Sequence, residues 1–228
     1  MTNIHCILRL IIIIFFINLS CIYSQVNDFE SWSCIEIKKK ITKKIEFIFE
    51  EELRLNDNST KIKKIYSDIG LSYSFNKHIK LVGYYRFIKK RKYDSYYSNR
   101  HRLYADIFLK NKFNRLTIAY RTRYQAKYVD IYSSEDGFIP RKYNRNKLSL
   151  KYDIKKNPIS PYCSFEAYYQ LNNPEGNEFD KIRYTCGIDY KFNKRNSLDI
   201  YYRLQKQINI NNPVNSYILG LKYCYSIK

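Results

Sequence analysis

The chain has 228 residues, of which 45% are hydrophobic and 17% aromatic, enough apolar surface for one ordered domain or a small pair of domains. Charged residues make up 27% of the chain, which excludes a bundle of membrane-spanning helices, and only six glycines and five prolines exclude a collagen-like or wholly disordered chain. The formal net charge is +20, and the 25 tyrosines favour strands and membrane–water boundaries.

The N-terminus has the organisation of a secretory signal peptide. Arg9 precedes the apolar run LIIIIFFINL, and the small polar stretch SCIYSQ follows it. We predict cleavage after Ser24, which removes residues 1–24 and leaves a net charge of +19, because Arg9 is the one charged residue removed. A lipoprotein signal at Cys21 is the alternative, but Asn18 stands where that signal takes an aliphatic residue. A retained anchor is disfavoured because the run is shorter than the roughly 20 residues of a spanning helix.

Residues 25–42 form an N-terminal segment with several open interpretations. Its stretch SWSCIEIKKKI, residues 31–41, can be read as an eleventh strand joined to the next by ITKK. If the strands that follow form an outer-membrane barrel, this additional strand would start on the outer side of the membrane, whereas the N-terminus of such a barrel is expected in the periplasm. The alternatives are an extra barrel strand, a short periplasmic element, or a plug inside a barrel.

Residues 43–228 are predicted to form ten strands and no helix of useful length, because apolar and polar residues alternate with a period of two. The predicted strands are 44–56, 64–75, 79–89, 99–110, 115–128, 141–153, 160–172, 179–192, 197–209 and 215–227. They are longer than the roughly 5 or 6 residues typical of soluble strands, and they match or exceed the roughly 9 to 11 residues with which a tilted strand crosses a bilayer.

The predicted links alternate in length. Tight turns are expected at 75–79, 110–114, 154–160 and 192–197, and longer links at 89–98 and 129–140. Outer-membrane barrels have this alternation, with the short turns on the periplasmic side. The predicted fold class is therefore all-β, an antiparallel up-and-down transmembrane β-barrel of about 10 strands (about 8 to 12) that follows a cleaved signal peptide.

Each predicted strand has one apolar face and one charged face. In RLTIAYRTRYQ, residues 115–125, Leu116 and Ile118 share one face while Arg121 and Arg123 share the other. The apolar face would be the core of a soluble barrel, whereas in a membrane barrel it contacts lipid and the charged face neutralises itself in a narrow lumen. Strand interiors prefer arginine to lysine, and the planar arginine fork can hold carboxylates in a confined space.

The sequence therefore predicts a network of charged side chains facing the lumen. Its members are Glu50, Glu52, Arg54, Arg86, Arg100, Arg102, Asp106, Arg121, Arg123, Glu166, Arg183, Asp189 and Arg203. Arg121 and Arg123 are expected among partners such as Glu50, Asp106 and Glu166. The individual pairs are not readable from the sequence.

The last predicted strand carries a candidate barrel-insertion signal. Barrel-assembly machinery recognises a C-terminal strand in which a glycine precedes alternating aromatic residues, and Gly220, Tyr223 and Tyr225 have that spacing. The match is partial, because Ile218 stands where a polar residue is usual and the chain continues to Lys228.

No metal site and no cofactor are predicted. Four cysteines follow the signal peptide, Cys34, Cys163, Cys186 and Cys224, and they form no CxxC pair and have no histidine at ligand spacing. Cys186 falls on the apolar face of its strand and Cys224 on the opposite face. We interpret the four as small hydrophobic residues.

Several short motifs, taken together in their order and spacing, resemble one known family. They are Trp32 near the mature start, EELRL around Arg54, GYYR ending at Arg86, RHRLYAD from Arg100, YRTRYQ with Arg121 and Arg123, PYCSFEAY with Glu166, and IRYTCGIDY with Arg183 and Gly187. The stretch from residue 31 to residue 226 resembles domain-of-unknown-function family 2490. This resemblance implies an outer-membrane β-barrel of a Gram-negative bacterium and carries over no active-site residue.

The expected function is that of a non-enzymatic protein of the cell outer membrane, either a structural and surface protein or a narrow pore. An arginine surplus in the lumen predicts that such a pore prefers anions. The expected partners are outer-membrane lipid, lipopolysaccharide and the barrel-assembly machinery. The oligomeric state is left open.

Three alternatives are considered. A barrel enzyme acting on lipid or peptide would use a histidine as base, and those after the signal peptide are His78, in a predicted turn, and His101, on an outward face. A soluble periplasmic β-barrel would bind a small ligand. Nucleic-acid binding is disfavoured, because the charge is spread over every turn of an exported chain; the basic run KKRK, residues 89–92, better suits an external loop that contacts lipopolysaccharide phosphates.

Overall fold

The computed structural model describes residues 26–93, 96–129, 140–210 and 212–227. The predicted signal peptide, residues 1–24, lies outside the described residues. Every regular element in the described ranges is a β-strand. Within those ranges, no helix is long and apolar enough to cross a membrane.

Eleven strands form one closed sheet. They are β1 (Val26–Lys40), β2 (Ile45–Asn56), β3 (Lys61–Ser74), β4 (Ile79–Tyr93), β5 (Tyr96–Phe113), β6 (Leu116–Val129), β7 (Arg141–Tyr152), β8 (Ile159–Gln170), β9 (Glu178–Lys191), β10 (Asn196–Gln207) and β11 (Val214–Ile227). Strands that follow one another in the chain pair antiparallel. The all-β barrel is confirmed, and the ten predicted strands correspond to β2 through β11.

The N-terminal segment forms the additional strand, β1. Of the three interpretations of this segment, the structure therefore agrees with an extra barrel strand. It closes the barrel by pairing in parallel with β11, with Val26 opposite Val214 and Lys39 opposite Ile227. The predicted fully antiparallel up-and-down order is wrong at this seam. The reason is geometric, because in a barrel with an odd number of strands the first and last strands run in the same direction.

The two ends of the barrel carry different sets of links. One end, called the turn end below, has the links 41–44, 75–78, 114–115, 153–158 and 192–195. The other, called the loop end, has the links 57–60, 94–95, 130–140, 171–177 and 208–213. The predicted tight turns all lie at the turn end. The predicted link 89–98 is too long, because its lysine-rich residues still pair in the ladder between β4 and β5, up to Tyr93 opposite Tyr96.

Burial in this barrel is the reverse of burial in a soluble protein. Among the described residues, ten hydrophobic side chains are buried, against nineteen polar or charged ones. On β5, Leu103 and Ile107 are 52% and 44% exposed, whereas Asp106 is fully buried. The apolar face is therefore the outer surface of the barrel, and the charged face lines its lumen.

The register of β8 and β9 brings two cysteines together. Cys163 lies opposite Cys186, and their Sγ atoms are 2.7 Å apart on the outer surface. Treating all four cysteines as separate hydrophobic residues missed this proximity, because alternation gives the face of a residue but not its neighbour on the next strand. Cys224 lies on the inner side, with its Sγ 3.2 Å from Glu36 Oε1.

Gly220, from the candidate insertion signal, has a packing role in the lumen. It lies opposite Trp32 on β1 and Tyr201 on β10, and these two side chains form an apolar cluster with Ile218. A Cβ atom on Gly220 would lie 2.0 to 2.5 Å from atoms of the Tyr201 ring. Ile218, which departs from the usual signal, is fully buried in this cluster. Recognition of β11 by the assembly machinery stays a prediction.

We expect Gly220→Ala to destabilise the barrel, because the Tyr201 ring must leave its position to admit the new methyl group. Overpacking of this kind costs about 1–3 kcal/mol. The measurement is unfolding in denaturant of protein refolded in detergent without assembly machinery, which separates packing from recognition. Gly83→Ala is the matched control, because a Cβ there meets nothing within 4 Å. Equal losses in the two variants would contradict the packing explanation.

Candidate functional site

The lumen is the candidate functional site, because the charged faces of the strands converge there. It contains a cavity of about 520 Å³. Among the described residues that line this cavity, fifteen are Lys or Arg and eight are Asp or Glu. The lumen therefore carries more positive charge than its own carboxylates neutralise.

In the middle of the lumen, one carboxylate holds three arginines. Arg121 donates a hydrogen bond to Glu166, and Arg145 Nη2 donates to Glu166 Oε1 at 2.8 Å. Arg183 Nη1 lies 3.5 Å from Glu166 Oε2. The four residues come from the consecutive strands β6 to β9, whose inward positions meet at this level. Because Glu166 is only 5% exposed, these contacts replace water around its charge.

Two further carboxylates are held by bidentate arginines. Arg123 donates from Nε and Nη2 to the two oxygens of Asp106 at 2.5 and 2.6 Å. Arg86 binds both oxygens of Asp68, and the Tyr104 hydroxyl donates to Asp68 Oδ2 at 2.5 Å. Both carboxylates are at most 1% exposed. Charges this deeply buried need a close, well-oriented partner, which the planar arginine fork supplies.

Aromatic rings cover the flat faces of the arginines. Arg54 Cζ lies 3.3 Å from the centre of the Trp32 ring, while Arg54 Nε donates to Glu52 Oε1 at 2.8 Å. Arg123 Cζ lies 4.0 Å from the centre of the Tyr104 ring. Such an arginine is bound by a carboxylate at its edge and by a ring at its face. These contacts hold the side chains in fixed positions.

Toward the turn end, lysines are the partners of the carboxylates. Lys222 Nζ lies 2.9 Å from Glu36 Oε2 and 2.7 Å from Glu50 Oε2. Lys151 is paired with Asp189. Positive and negative charges therefore lie side by side in this part of the lumen.

Toward the loop end, several cations line the lumen without a carboxylate partner among the described residues. Five of them form what we call the loop-end cation cluster: Lys64, Lys90, Arg102, Lys127 and Lys181. In the part of the chain that the structure describes, no Asp or Glu oxygen lies within 4.0 Å of their charged nitrogens. Arg102 Nε is also buried, with no hydrogen-bond partner among the described residues.

Most members of the predicted network lie on the wall of the cavity. These are Glu50, Glu52, Arg54, Arg86, Arg102, Asp106, Arg121, Arg123, Glu166, Arg183 and Arg203. The other two lie off that wall. Arg100 is buried beside Ser98 near the loop end, and Asp189 is paired with Lys151 near the turn end.

The expected partners of Arg121 and Arg123 are found in two of three cases. Asp106 binds Arg123 and Glu166 binds Arg121. Glu50 lies elsewhere, with its carboxylate oxygens near Arg86 and Lys222.

Sequence reasoning missed two kinds of lumen residue. Arg145 binds Glu166. It lies two positions before Lys147 on β7, and this spacing places both side chains on the same, inward face, which the sequence could have shown. The inward tyrosines Tyr104 and Tyr168 were missed because the outward face carries tyrosines as well, so residue type alone does not assign their side.

The two histidines lie outside the lumen. His101 Nδ1 is 2.7 Å from the Tyr85 hydroxyl on the outer surface, and His78 is exposed in the link 75–78. Across the described ranges, no group of three or more His, Cys, Asp or Glu side chains is arranged to hold a metal ion.

Comparison with known families identifies the family of this chain. A family model described as "Protein of unknown function (DUF2490)" matches residues 29–216. The chain belongs to this family. The match runs from β1 into the start of β11, so the resemblance seen in the sequence motifs is confirmed.

Comparisons with individual proteins give distant fold neighbours. No curated protein matches the chain. A solved structure of a KdgM porin is similar with a TM-score of 0.44 and 14% identity, over 75% of this chain and 81% of that chain. The translocator domain of the autotransporter NalP from Neisseria meningitidis is similar with a TM-score of 0.38 and 11% identity, over 76% of this chain and 71% of that chain.

We expect Glu166→Gln to destabilise the barrel. The substitution keeps the size of the side chain but leaves Arg121, Arg145 and Arg183 facing one another without their shared counter-charge. Breaking a buried ion pair by removing one partner costs about 3–5 kcal/mol. The measurement is denaturant unfolding of the detergent-refolded barrel.

The matched control for that prediction is Asp153→Asn in the link 153–158. Asp153 is paired with Lys112, but the two side chains are 31% and 52% exposed, so its loss costs at most about 1 kcal/mol. The hydrogen bond from Lys112 lowers the pKa of Asp153, so this small stabilisation is present when the carboxylate is ionised and is lost as the pH falls and it is protonated. Equal effects of the two substitutions would contradict the central role of Glu166.

Proposed function

We propose that this protein is an outer-membrane β-barrel whose lumen forms a narrow, anion-preferring pore. The observation that carries the proposal is the composition of the cavity wall, with fifteen basic and eight acidic side chains among the described residues. A pore lined by an excess of Lys and Arg favours anions over cations.

The outer surface supports a location in a membrane. The strands are 12 to 18 residues long, which exceeds the roughly 9 to 11 residues needed to cross a bilayer. Pairs of aromatic side chains lie near both ends, such as Tyr73 with Phe75 at the turn end and Tyr169 with Phe179 at the loop end. Aromatic girdles at both interfaces are typical of outer-membrane barrels. A soluble ligand-binding barrel would instead bury its apolar face.

The proposed role is non-enzymatic, and the proposed partners are outer-membrane lipid, lipopolysaccharide and the barrel-assembly machinery. His78 and His101 lie on the outside, and the carboxylates Asp68, Asp106 and Glu166 in the lumen are bound by arginines. The exposed lysines Lys89 and Lys92, near the loop end of β4, are suited to contact lipopolysaccharide phosphates.

A structural role is the second candidate, and one observation favours it. The contacts of Glu166, Asp106 and Asp68 with arginines fill the middle of the lumen, and small barrels have interiors that side chains can fill. In that case the same network stabilises the barrel and passes no solute.

The membrane location is tested by fractionation of the cell envelope, followed by gel migration of boiled and unboiled samples. We expect the protein in the outer-membrane fraction, with a faster band before boiling because a folded barrel is compact and resists detergent. Recovery in the soluble periplasmic fraction would overturn the membrane assignment.

The pore is tested by conductance of the purified protein in a planar lipid bilayer under a gradient of KCl. We expect small conductance steps and a reversal potential whose sign shows that chloride is more permeant than potassium. Arg203→Glu, in the lumen, should reduce this preference, whereas Lys77→Glu, in the exposed link 75–78, makes the same charge change outside it. A potassium-selective current would contradict the anion preference, and a folded barrel without current would leave the structural role.

A further inference from the structure

We infer that the loop-end cation cluster is a binding site for a multivalent oxyanion, a solute whose phosphate or carboxylate groups place several negative oxygens close together. The inference rests on the proposed anion-preferring lumen and adds to it a defined site and a ligand class. Binding at equilibrium does not require that the solute pass through the barrel. Binding to the cluster and conduction through the pore can therefore be tested separately.

A β-bulge concentrates charge at this site. In the ladder between β2 and β3, Arg54 is opposite Lys64 and Leu55 is opposite Ile62, so Lys63 is an extra residue. Both lysines therefore reach the cavity wall, whereas regular alternation would place them on opposite faces. Lys63 is paired with Glu30 at 2.5 Å, whereas Lys64 has no ion-pair partner in the part of the chain that the structure describes.

The remaining members of the cluster line the same cavity from β4, β5, β6 and β9. Lys64 is opposite Lys90 in the ladder between β3 and β4, and Arg102 is opposite Lys127 in the ladder between β5 and β6. Lys127 is repelled by Lys64, Arg102 and Lys181. Five cations from five strands thus share one region of the lumen, and their mutual repulsion is the opposite of the pairing in the middle of the barrel.

An anion relieves this repulsion and also satisfies Arg102. The Nε of Arg102 is a buried donor without an acceptor in the described part of the chain. Asp180 attracts the neighbouring Lys181, but its oxygens lie beyond ion-pairing distance of every member of the cluster. Within the described residues, Asp180 therefore leaves most of the positive charge of the cluster uncompensated.

The chemistry of the cluster favours an oxyanion with several charges over chloride. A guanidinium group binds two oxygens side by side, and a lysine ammonium binds phosphate as a point charge. A chloride ion contacts only a few cations at once, whereas a multivalent oxyanion can span several. The cluster lines one part of the lumen cavity, whose whole volume is about 520 Å³.

The test is calorimetric measurement of inorganic pyrophosphate binding to the folded barrel in detergent at low ionic strength. We expect saturable binding by the unmodified protein. The double variant Lys127→Gln/Lys181→Gln should bind at least tenfold more weakly, a loss of about 1.4 kcal/mol. The matched control Lys147→Gln/Arg203→Gln removes two lumen cations outside the cluster, neither ion-paired with a described carboxylate, and should change binding less than threefold. The boiled and unboiled gel bands verify that every variant is folded.

Three outcomes would overturn the site: no saturable binding by the folded protein, equal weakening in both double variants, or equal competition by chloride at matched ionic strength. The conductance measurement separates this inference from the proposed pore. A barrel that binds pyrophosphate but carries no current keeps the site and loses the pore. An anion-selective current without pyrophosphate binding keeps the pore and loses the site.

Discussion

The structure depends on pairing arginine with carboxylate inside a closed sheet. The apolar side chains face outward, so the barrel lacks the large hydrophobic core that stabilises a soluble domain. Its interior contacts are instead polar, and Asp68, Asp106 and Glu166 are almost completely buried among arginines. A buried charge without a partner is strongly unfavourable, so each pair constrains the strands that carry it. A shift in strand register would therefore separate a buried carboxylate from its arginine.

Arginine suits this interior better than lysine for a geometric reason. Its guanidinium is flat, so a carboxylate can bind the edge while an aromatic ring covers the face, as Glu52 and Trp32 do for Arg54. This arrangement explains why strand interiors in the sequence alternate arginine with apolar residues and also carry inward tyrosines. Lysine occupies the positions where a single flexible ammonium is sufficient, as at Lys222 between Glu36 and Glu50.

The sequence predicted the features that depend on a period of two. It assigned β2 through β11, the outward face, and the inward position of residues such as Arg123, because alternation along one strand determines the side of each residue. It did not predict features that depend on two strands at once. The Cys163–Cys186 proximity, the Glu50 contacts and the parallel seam of β1 all follow from register and strand number. The bulge at Lys63 was also missed, since it breaks the period itself.

Charge is distributed unevenly along the barrel axis, and this follows from where alternation holds and where it breaks. In the middle, regular alternation brings acids and arginines of neighbouring strands to the same level, where they neutralise one another. Toward the loop end, alternation breaks at the bulge, where Lys63 is paired with Glu30 and Lys64 has no carboxylate oxygen within 4.0 Å among the described residues. In the proposed pore, a solute entering from the loop end would meet the loop-end cation cluster before the paired arginines. The proposed anion site and the paired arginines lie at different levels of the same lumen, so removing charge from the cluster need not disrupt the ion pairs in the middle.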